Sequence, residues 1–135
     1  MIGIVLVTQS GISQHLVQAS QRTIGIEPNL LAVDLKPDLP LEQLEKEIAG
    51  SIEKNLEPPL EGILILTDHF GSTPTNACLA EFSDLKAPVE ILTGVNLPML
   101  LSAVTNRNKL DLKALSEKVL QDGKKSIQNA RGIRG

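Results

Sequence analysis

Four short apolar runs set the strongest limit on how this chain can fold. They lie at residues 2–7 (IGIVLV), 30–35 (LLAVDL), 63–66 (ILIL) and 89–92 (VEIL). Each run is too short for a helix and suits a strand that helices cover on both faces. They therefore predict four strands. Asp34, inside the second run, favours a less buried or edge position for that strand.

Between these runs, apolar residues recur at the spacing of amphipathic helices. The predicted helices cover residues 12–24, 41–56, 74 to about 82, 97–104 and a last stretch from about 111. Gly123 is expected to weaken or kink the last helix, because glycine is a poor helix former. Strands that alternate with helices predict an α/β fold with a mainly parallel sheet and helices on both faces. We expect one flavodoxin-like, doubly wound domain over residues 1–135, with strand order 2-1-3-4.

Composition narrows the kinds of partner that the chain can have. The formal net charge is −3 and the aromatic residues are Phe70 and Phe82 alone, which argues against a nucleic-acid partner. Two histidines and one cysteine give no metal-ligand cluster, and no cofactor is expected. The lone Cys78 is interpreted as a buried structural thiol, which fits a reducing cytoplasm. Because we find neither a signal peptide nor an apolar stretch of membrane-spanning length, we expect a cytoplasmic protein.

The polar ends of the first and third runs predict one ligand crevice. Residues 62–76 read GILILTDHFGSTPTN, a strand followed by a strand-to-helix turn. Ligands bind at such turns in open α/β sheets, because free N–H groups at a helix start favour an anion. If strands one and three are neighbours, the turn at residues 8–11 (TQSG) faces this loop. The residues expected at the crevice are Gln9, Ser10, Asp68, His69, Gly71, Ser72, Thr73 and Asn76, with Asn96 on a further wall.

Five of these residues also have a purely structural explanation. Asp68 can cap the turn that follows it, and Ser10 can cap the first helix. Asn96 can cap the fourth helix, and Thr73 is expected to cap the third. His69 is interpreted first as a partly exposed turn residue. The sequence leaves the choice between these explanations and a ligand role open.

Several segments resemble one known family along nearly the whole chain. The most specific is GVNLPML at residues 94–100. The others are MIGIVLVT at residues 1–8, GILILTD at residues 62–68, and the Gly71, Pro74 and Asn76 positions of a Gly-Gly-Ser-Pro-x-Asn loop. On these segments the chain resembles the mannose-type (mannose, fructose, sorbose) enzyme IIA domains of the bacterial phosphoenolpyruvate-dependent sugar phosphotransferase system.

The resemblance implies a phosphoryl carrier that is charged by the histidine phosphocarrier protein and passes its group to enzyme IIB. In such domains the acceptor is a histidine at the carboxyl end of strand one, and Asp68 matches the carboxylate that orients its ring. An imidazole suits this role because it is nucleophilic at neutral pH and a carboxylate fixes its tautomer. The resemblance also implies a homodimer, with residues 130–135 as a candidate extra edge strand, and indirect docking to a membrane sugar permease.

This chain has no histidine at the acceptor position. Without gaps, Gln9 aligns with the histidine and Ser10 with the glycine that follows it; a shift of one residue puts Ser10 in the histidine's place. A glutamine amide is no useful nucleophile, and a serine phosphate is too stable to pass its group on. Three hypotheses follow: a regulatory or degenerate family member, an active phosphotransferase that uses another residue such as His69, or an anion- or metabolite-binding module that shares the fold.

Overall fold

The sheet contains four strands in the predicted order. A computed structural model of the chain describes residues 1–69, 72–79 and 85–134. The strands are β1 (Ile2–Gln9), β2 (Leu30–Leu35), β3 (Gly62–Thr67) and β4 (Val89–Leu92). They pair in the order β2-β1-β3-β4, and all three pairings are parallel. The predicted α/β class and the 2-1-3-4 order are confirmed, and β2 lies at an edge.

Six helices occur in the described residues. They are α1 (Ile12–Ile24), α2 (Leu41–Asn55), α3 (Thr73–Cys78), α4 (Leu97–Asn106), α5 (Leu112–Lys125) and α6 (Ala130–Arg134). Helices α1, α4 and α5 pack against one face of the sheet, and α2 and α3 against the other. Alternation along β1 explains this arrangement, because Ile4 and Leu6 belong to the first core and Val5 and Val7 to the second. Of the helices in the described ranges, none is both long enough and apolar enough to cross a bilayer.

Helix α3 is shorter than predicted. It ends at Cys78, with Leu79 as its C-cap, whereas the expected end was near Phe82. Residues 80–84, and Phe82 with them, lie outside the described part of the chain. The path from α3 to β4 is therefore described only from Leu85 onward.

The segment at residues 130–135 is not the extra edge strand that was expected. Ala130–Arg134 form α6, so that prediction is wrong. The side-chain oxygen of Asn129 accepts the N–H groups of Arg131 (3.1 Å) and Gly132 (3.3 Å). This capping starts a helical turn and uses N–H groups that a strand would offer to a neighbour. The homodimer remains a prediction without this strand as its basis.

Gly123 allows helices α5 and α4 to pack closely together. Helix α5 continues through Gly123 and ends at Lys125. Gly123 is buried where α5 meets α4, and a Cβ added there would lie 2.5 Å from Cγ of Met99. Only glycine allows α5 to approach Met99 this closely, which explains a poor helix former inside this helix.

Replacing Gly123 with alanine is expected to lower the free energy of unfolding by about 1–2 kcal/mol, because the new methyl group overpacks the contact with Met99. Gly50→Ala is the matched control on α2, since Gly50 is exposed and has no atom within 4 Å of the added Cβ. That change should stabilise the protein by about 0.5–1 kcal/mol through helix propensity. Urea unfolding measures both values. Equal stabilisation by the two substitutions would contradict the packing role.

Candidate functional site

The carboxyl ends of β1 and β3 bring two of the predicted crevice residues together. The strands are neighbours, with Val7 paired to Thr67, so the residues that follow them lie side by side. The main-chain N–H of Gln9 donates to Oδ2 of Asp68 at 3.4 Å. Gln9 is the last residue of β1 rather than part of the predicted turn, and it is exposed. Its amide side chain therefore stands at the sheet edge where ligands bind in this architecture.

The Asp68 carboxylate connects the loops that follow β1 and β3. Its Oδ1 accepts the Ser72 hydroxyl at 2.6 Å and the main-chain N–H of His69 at 3.0 Å. Its Oδ2 accepts only the long bond from Gln9 among the described residues. Since 3.4 Å exceeds the usual N–H···O range, Oδ2 retains capacity for a further donor that enters from the β1 side.

Ser72, and not Thr73, caps α3. The Ser72 oxygen accepts the N–H of Thr75 at 3.2 Å while its hydroxyl proton goes to Asp68. The prediction that Thr73 caps this helix is therefore wrong, and Thr73 is instead the first helical residue, with an exposed side chain. The reason is local: Ser72 has the extended backbone (φ −68°, ψ 161°) that a cap requires.

Two buried threonines support Asp68 and Ser72 from below, and the sequence did not predict this role for either of them. The hydroxyls of Thr67 and Thr75 lie 2.7 Å apart. Thr75 also donates to the main-chain oxygen of His69 at 2.8 Å, and its hydroxyl oxygen lies 3.0 Å from that of Ser72. The one indication in the sequence was Thr67, whose hydroxyl directly follows the apolar run of β3. These contacts fix Ser72 and the main chain of His69, and with them the position of Asp68.

The loop after β1 contains two consecutive residues in the left-handed conformation. They are Ser10 (φ 59°) and Gly11 (φ 75°). Gly11 is the N-cap residue of α1, so the alternative that Ser10 caps this helix is wrong. The hydroxyl of Thr8 supplies the missing contact, because it accepts the N–H of Ser13 at 2.8 Å. Ser10 is left exposed beside Gln9.

Asp34 anchors the same loop from the other side, a role that the sequence did not indicate. Its Oδ1 accepts the hydroxyls of Thr8 at 3.1 Å and Ser13 at 2.8 Å. Its Oδ2 is buried and has no hydrogen-bond partner among the described residues. Asp34 therefore ties the carboxyl end of edge strand β2 to the start of α1 and fixes the path of the chain around Gln9.

Asn96 lies beside the end of β3 and caps α4. Its side-chain oxygen accepts the N–H of Met99 at 3.0 Å. The preceding Val95 donates its N–H to the main-chain oxygen of Thr67 at 2.9 Å. The capping explanation of Asn96 is thus confirmed, and its loop is joined to the same edge of the sheet. A role as a wall of the crevice stays a prediction.

The chain's two histidines differ in their distance from this edge. His69 is exposed and follows Asp68 directly, whereas His15 is exposed on α1. Neither imidazole hydrogen-bonds to a described residue. Asn76 is exposed on α3, and its main-chain N–H donates to the main-chain oxygen of Ser72 at 2.9 Å. Gly71, a predicted phosphate contact, lies outside the described residues.

The thiol of Cys78 is not a nucleophile for this site. Cys78 is fully buried, as predicted. Burial raises the pKa of the thiol to about 12, and the Asp68 charge adds to the shift. The group therefore stays protonated at neutral pH. What the described crevice offers is a carboxylate, hydroxyls and a glutamine amide, with no lysine or arginine hydrogen-bonded to them.

Comparison with known proteins gives consistent matches. The family model EIIA-man, described as the PTS system fructose IIA component, matches residues 3–120. The sorbose-specific EIIA component of Lacticaseibacillus casei is 31% identical over 112 residues, which cover 83% of this chain and 78% of that protein. The fructose-specific EIIA component of Bacillus subtilis is 30% identical over 128 residues, covering 95% of this chain and 86% of that one.

Solved structures share the fold. A phosphotransferase system component EIIA from Streptococcus agalactiae superposes with a TM-score of 0.83 at 21% identity, and the match covers 96% of this chain and 97% of that one. The four-strand parallel sheet with its two helix layers is therefore an architecture that this chain has in common with an EIIA protein.

Proposed function

This chain belongs to the EIIA-man family of PTS fructose IIA components, and from that membership we propose that it acts as a regulatory or degenerate member that carries no phosphoryl group itself. From the family resemblance, we infer that its binding partners are the histidine phosphocarrier protein and enzyme IIB. In this role the chain binds a partner of the sugar phosphotransferase system and does not pass the group on.

The hydrogen bond between Gln9 and Asp68 carries the proposal. Asp68 matches the carboxylate that orients the acceptor histidine, and the described residue of β1 that is bonded to it, through its main-chain N–H, is Gln9. This contact supports the alignment of Gln9, rather than Ser10, with the histidine. A carboxamide nitrogen has its lone pair delocalised into the carbonyl group, so Gln9 supplies no nucleophile for a phosphoryl group.

The frame around Gln9 is intact, which favours retained partner binding over a collapsed site. Asp68 bonds to Ser72, and Ser72 bonds to Thr75 and caps α3. On the other side, Asp34 holds Thr8 and Ser13. A surface that keeps its shape but has no acceptor group can still bind a partner protein without receiving a phosphoryl group from it.

A phosphotransfer assay tests the proposal. Incubation with phosphoenolpyruvate, enzyme I and the histidine phosphocarrier protein should leave the chain without acid-labile phosphate, because no imidazole stands at the end of β1. The fructose-specific EIIA component of Bacillus subtilis, labelled in parallel, shows that the donors are active. Binding of the phosphocarrier protein to the unlabelled chain, measured by calorimetry, is the expected companion result. Stoichiometric labelling of the chain would overturn the proposal.

A second candidate is an active carrier that uses His69. The observation in its favour is that His69 is exposed and its main-chain N–H bonds to Asp68, so its imidazole starts at the crevice edge. The same assay on the matched variants His69→Ala and His15→Ala tests this second candidate. Acid-labile phosphate that is lost only with His69→Ala would establish this carrier; phosphate lost with His15→Ala would place the acceptor on α1.

A further inference from the structure

Positive charge is concentrated in one stretch of this acidic protein, residues 123–134, here called the basic segment. It contains Lys124, Lys125, Arg131 and Arg134 and no acidic residue. Removing those four charges from the formal net charge of −3 leaves −7 for the rest of the chain. The segment is therefore positively charged, whereas the rest of the molecule is negatively charged.

The basic segment is free to meet a partner surface. Every residue from 124 to 133 is exposed. Two isoleucines lie among the cations, Ile127 at 79% and Ile133 at 64% exposure. The charged groups of Lys124, Lys125 and Arg131 form no ion pair with a described side chain. Exposed cations beside exposed apolar side chains suit a partner that offers both negative charge and an apolar interior.

The segment begins at the sheet edge that holds the candidate site. The Asn96 amide donates to the main-chain oxygen of Gly123 at 3.4 Å and lies 3.5 Å from the Ser126 hydroxyl. Asn96 caps α4 at the carboxyl edge of the sheet, so the end of α5 is fixed there. Whatever binds the basic segment thus approaches the same edge as Gln9 and Asp68.

We propose that the basic segment binds the surface of an anionic phospholipid bilayer. Four cations in a short stretch match the negative headgroups, and Ile127 and Ile133 can enter the boundary between headgroups and acyl chains. A lipid surface adapts to side chains that project from an exposed segment, as those of residues 124–133 do. The segment contains no aromatic side chain on which nucleic-acid bases could stack, so single-stranded nucleic acid fits less well.

Co-sedimentation of the full chain with lipid vesicles tests this proposal. Vesicles of equal parts phosphatidylglycerol and phosphatidylcholine should bind the chain, and vesicles of phosphatidylcholine alone should not. The triple substitution K124Q/K125Q/R131Q should weaken binding on the order of a hundredfold, because each cation near an anionic surface contributes about fivefold. Raised salt should weaken binding of the unmodified chain through screening.

The matched control is K54Q/K86Q/K109Q, which removes the same charge from three exposed lysines outside the segment. It should bind the anionic vesicles within about twofold of the unmodified chain, while K124R/K125R should bind normally. The double substitution I127S/I133S should weaken binding and keep its salt dependence. Equal losses in the two triple variants, or no binding to anionic vesicles, would overturn the proposal. Binding to an acidic protein in the absence of any vesicle binding would overturn it as well.

Discussion

Replacing Arg107 with alanine is expected to lower the free energy of unfolding by about 3–5 kcal/mol and the Tm by roughly 10 °C or more. The Arg107 side chain is fully buried at the end of α4. Its Nη1 donates to the main-chain oxygens of Asn29 (3.1 Å) and Ile2 (3.5 Å), and Nη2 donates to Pro28 (2.6 Å) and to the Glu27 carboxylate (3.4 Å). Alanine would leave three main-chain acceptors without this donor.

The size of this effect follows from where the bonds are made. They join the end of α4 to the start of β1 and to the loop before β2, three segments that are far apart in sequence. Burial lowers the pKa of the Arg107 guanidinium, and the Glu27 carboxylate partly opposes that shift. Arginine still keeps its charge at neutral pH, so the donors remain available there. An alanine would add a cavity to the loss of these hydrogen bonds.

Two further substitutions make the stability measurement specific. Arg22→Ala removes an exposed arginine from the last turn of α1 and should change the free energy of unfolding by less than about 0.5 kcal/mol. Arg107→Lys keeps the charge but not the forked pair of donors. The free energy of unfolding of this variant should therefore lie between those of Arg22→Ala and Arg107→Ala. Thermal and urea unfolding of the three proteins give the comparison. A small loss in Arg107→Ala, similar to that in Arg22→Ala, would show that the buried bonds contribute little.

Arg107 also shows what the sequence could not reveal. A basic residue after the apolar helix 97–104 looks like an ordinary cation at a helix C-terminus, where the dipole favours it. Its inward direction depends on the loop before β2, which approaches only once the sheet has formed. The four strands were predictable because each one corresponds to a continuous apolar run, a signal that does not depend on the rest of the chain. Their order followed from the doubly wound topology that was expected.

The candidate site was predictable in outline and not in detail. The meeting of Gln9 and Asp68 follows from the adjacency of strands one and three, which the topology dictates. The choice of Ser72 over Thr73 as the cap of α3 does not, because two consecutive hydroxyl residues fit the same capping pattern. The role of Asp34 was hidden for another reason: its partners Thr8 and Ser13 come from a different part of the chain.

Replacing Gln9 with histidine is expected to give acid-labile labelling in the phosphotransfer assay, at least roughly tenfold above the unmodified chain. The main chain at position 9 already reaches the carboxylate that such a ring requires, since the main-chain N–H of Gln9 lies 3.4 Å from Oδ2 of Asp68. That oxygen can accept a ring N–H because its present bond is long. Ser10 has φ 59°, the conformation that glycine adopts freely, so the loop after β1 keeps a path that a histidine-glycine pair could follow.

The role of Asp68 in this gain is tested by combining Gln9→His with Asp68→Asn. Asparagine keeps the size of the side chain but presents one oxygen and an NH₂ group, so it no longer fixes the ring tautomer as a carboxylate does. Labelling should fall by roughly tenfold or more from that of Gln9→His alone, while circular dichroism shows the fold unchanged. If Gln9→His binds the phosphocarrier protein but stays unlabelled, the start of α3 at Ser72 and Thr73 no longer supports phosphoryl transfer even when a histidine is present. Equal labelling with and without Asp68→Asn would contradict the orienting role of the carboxylate.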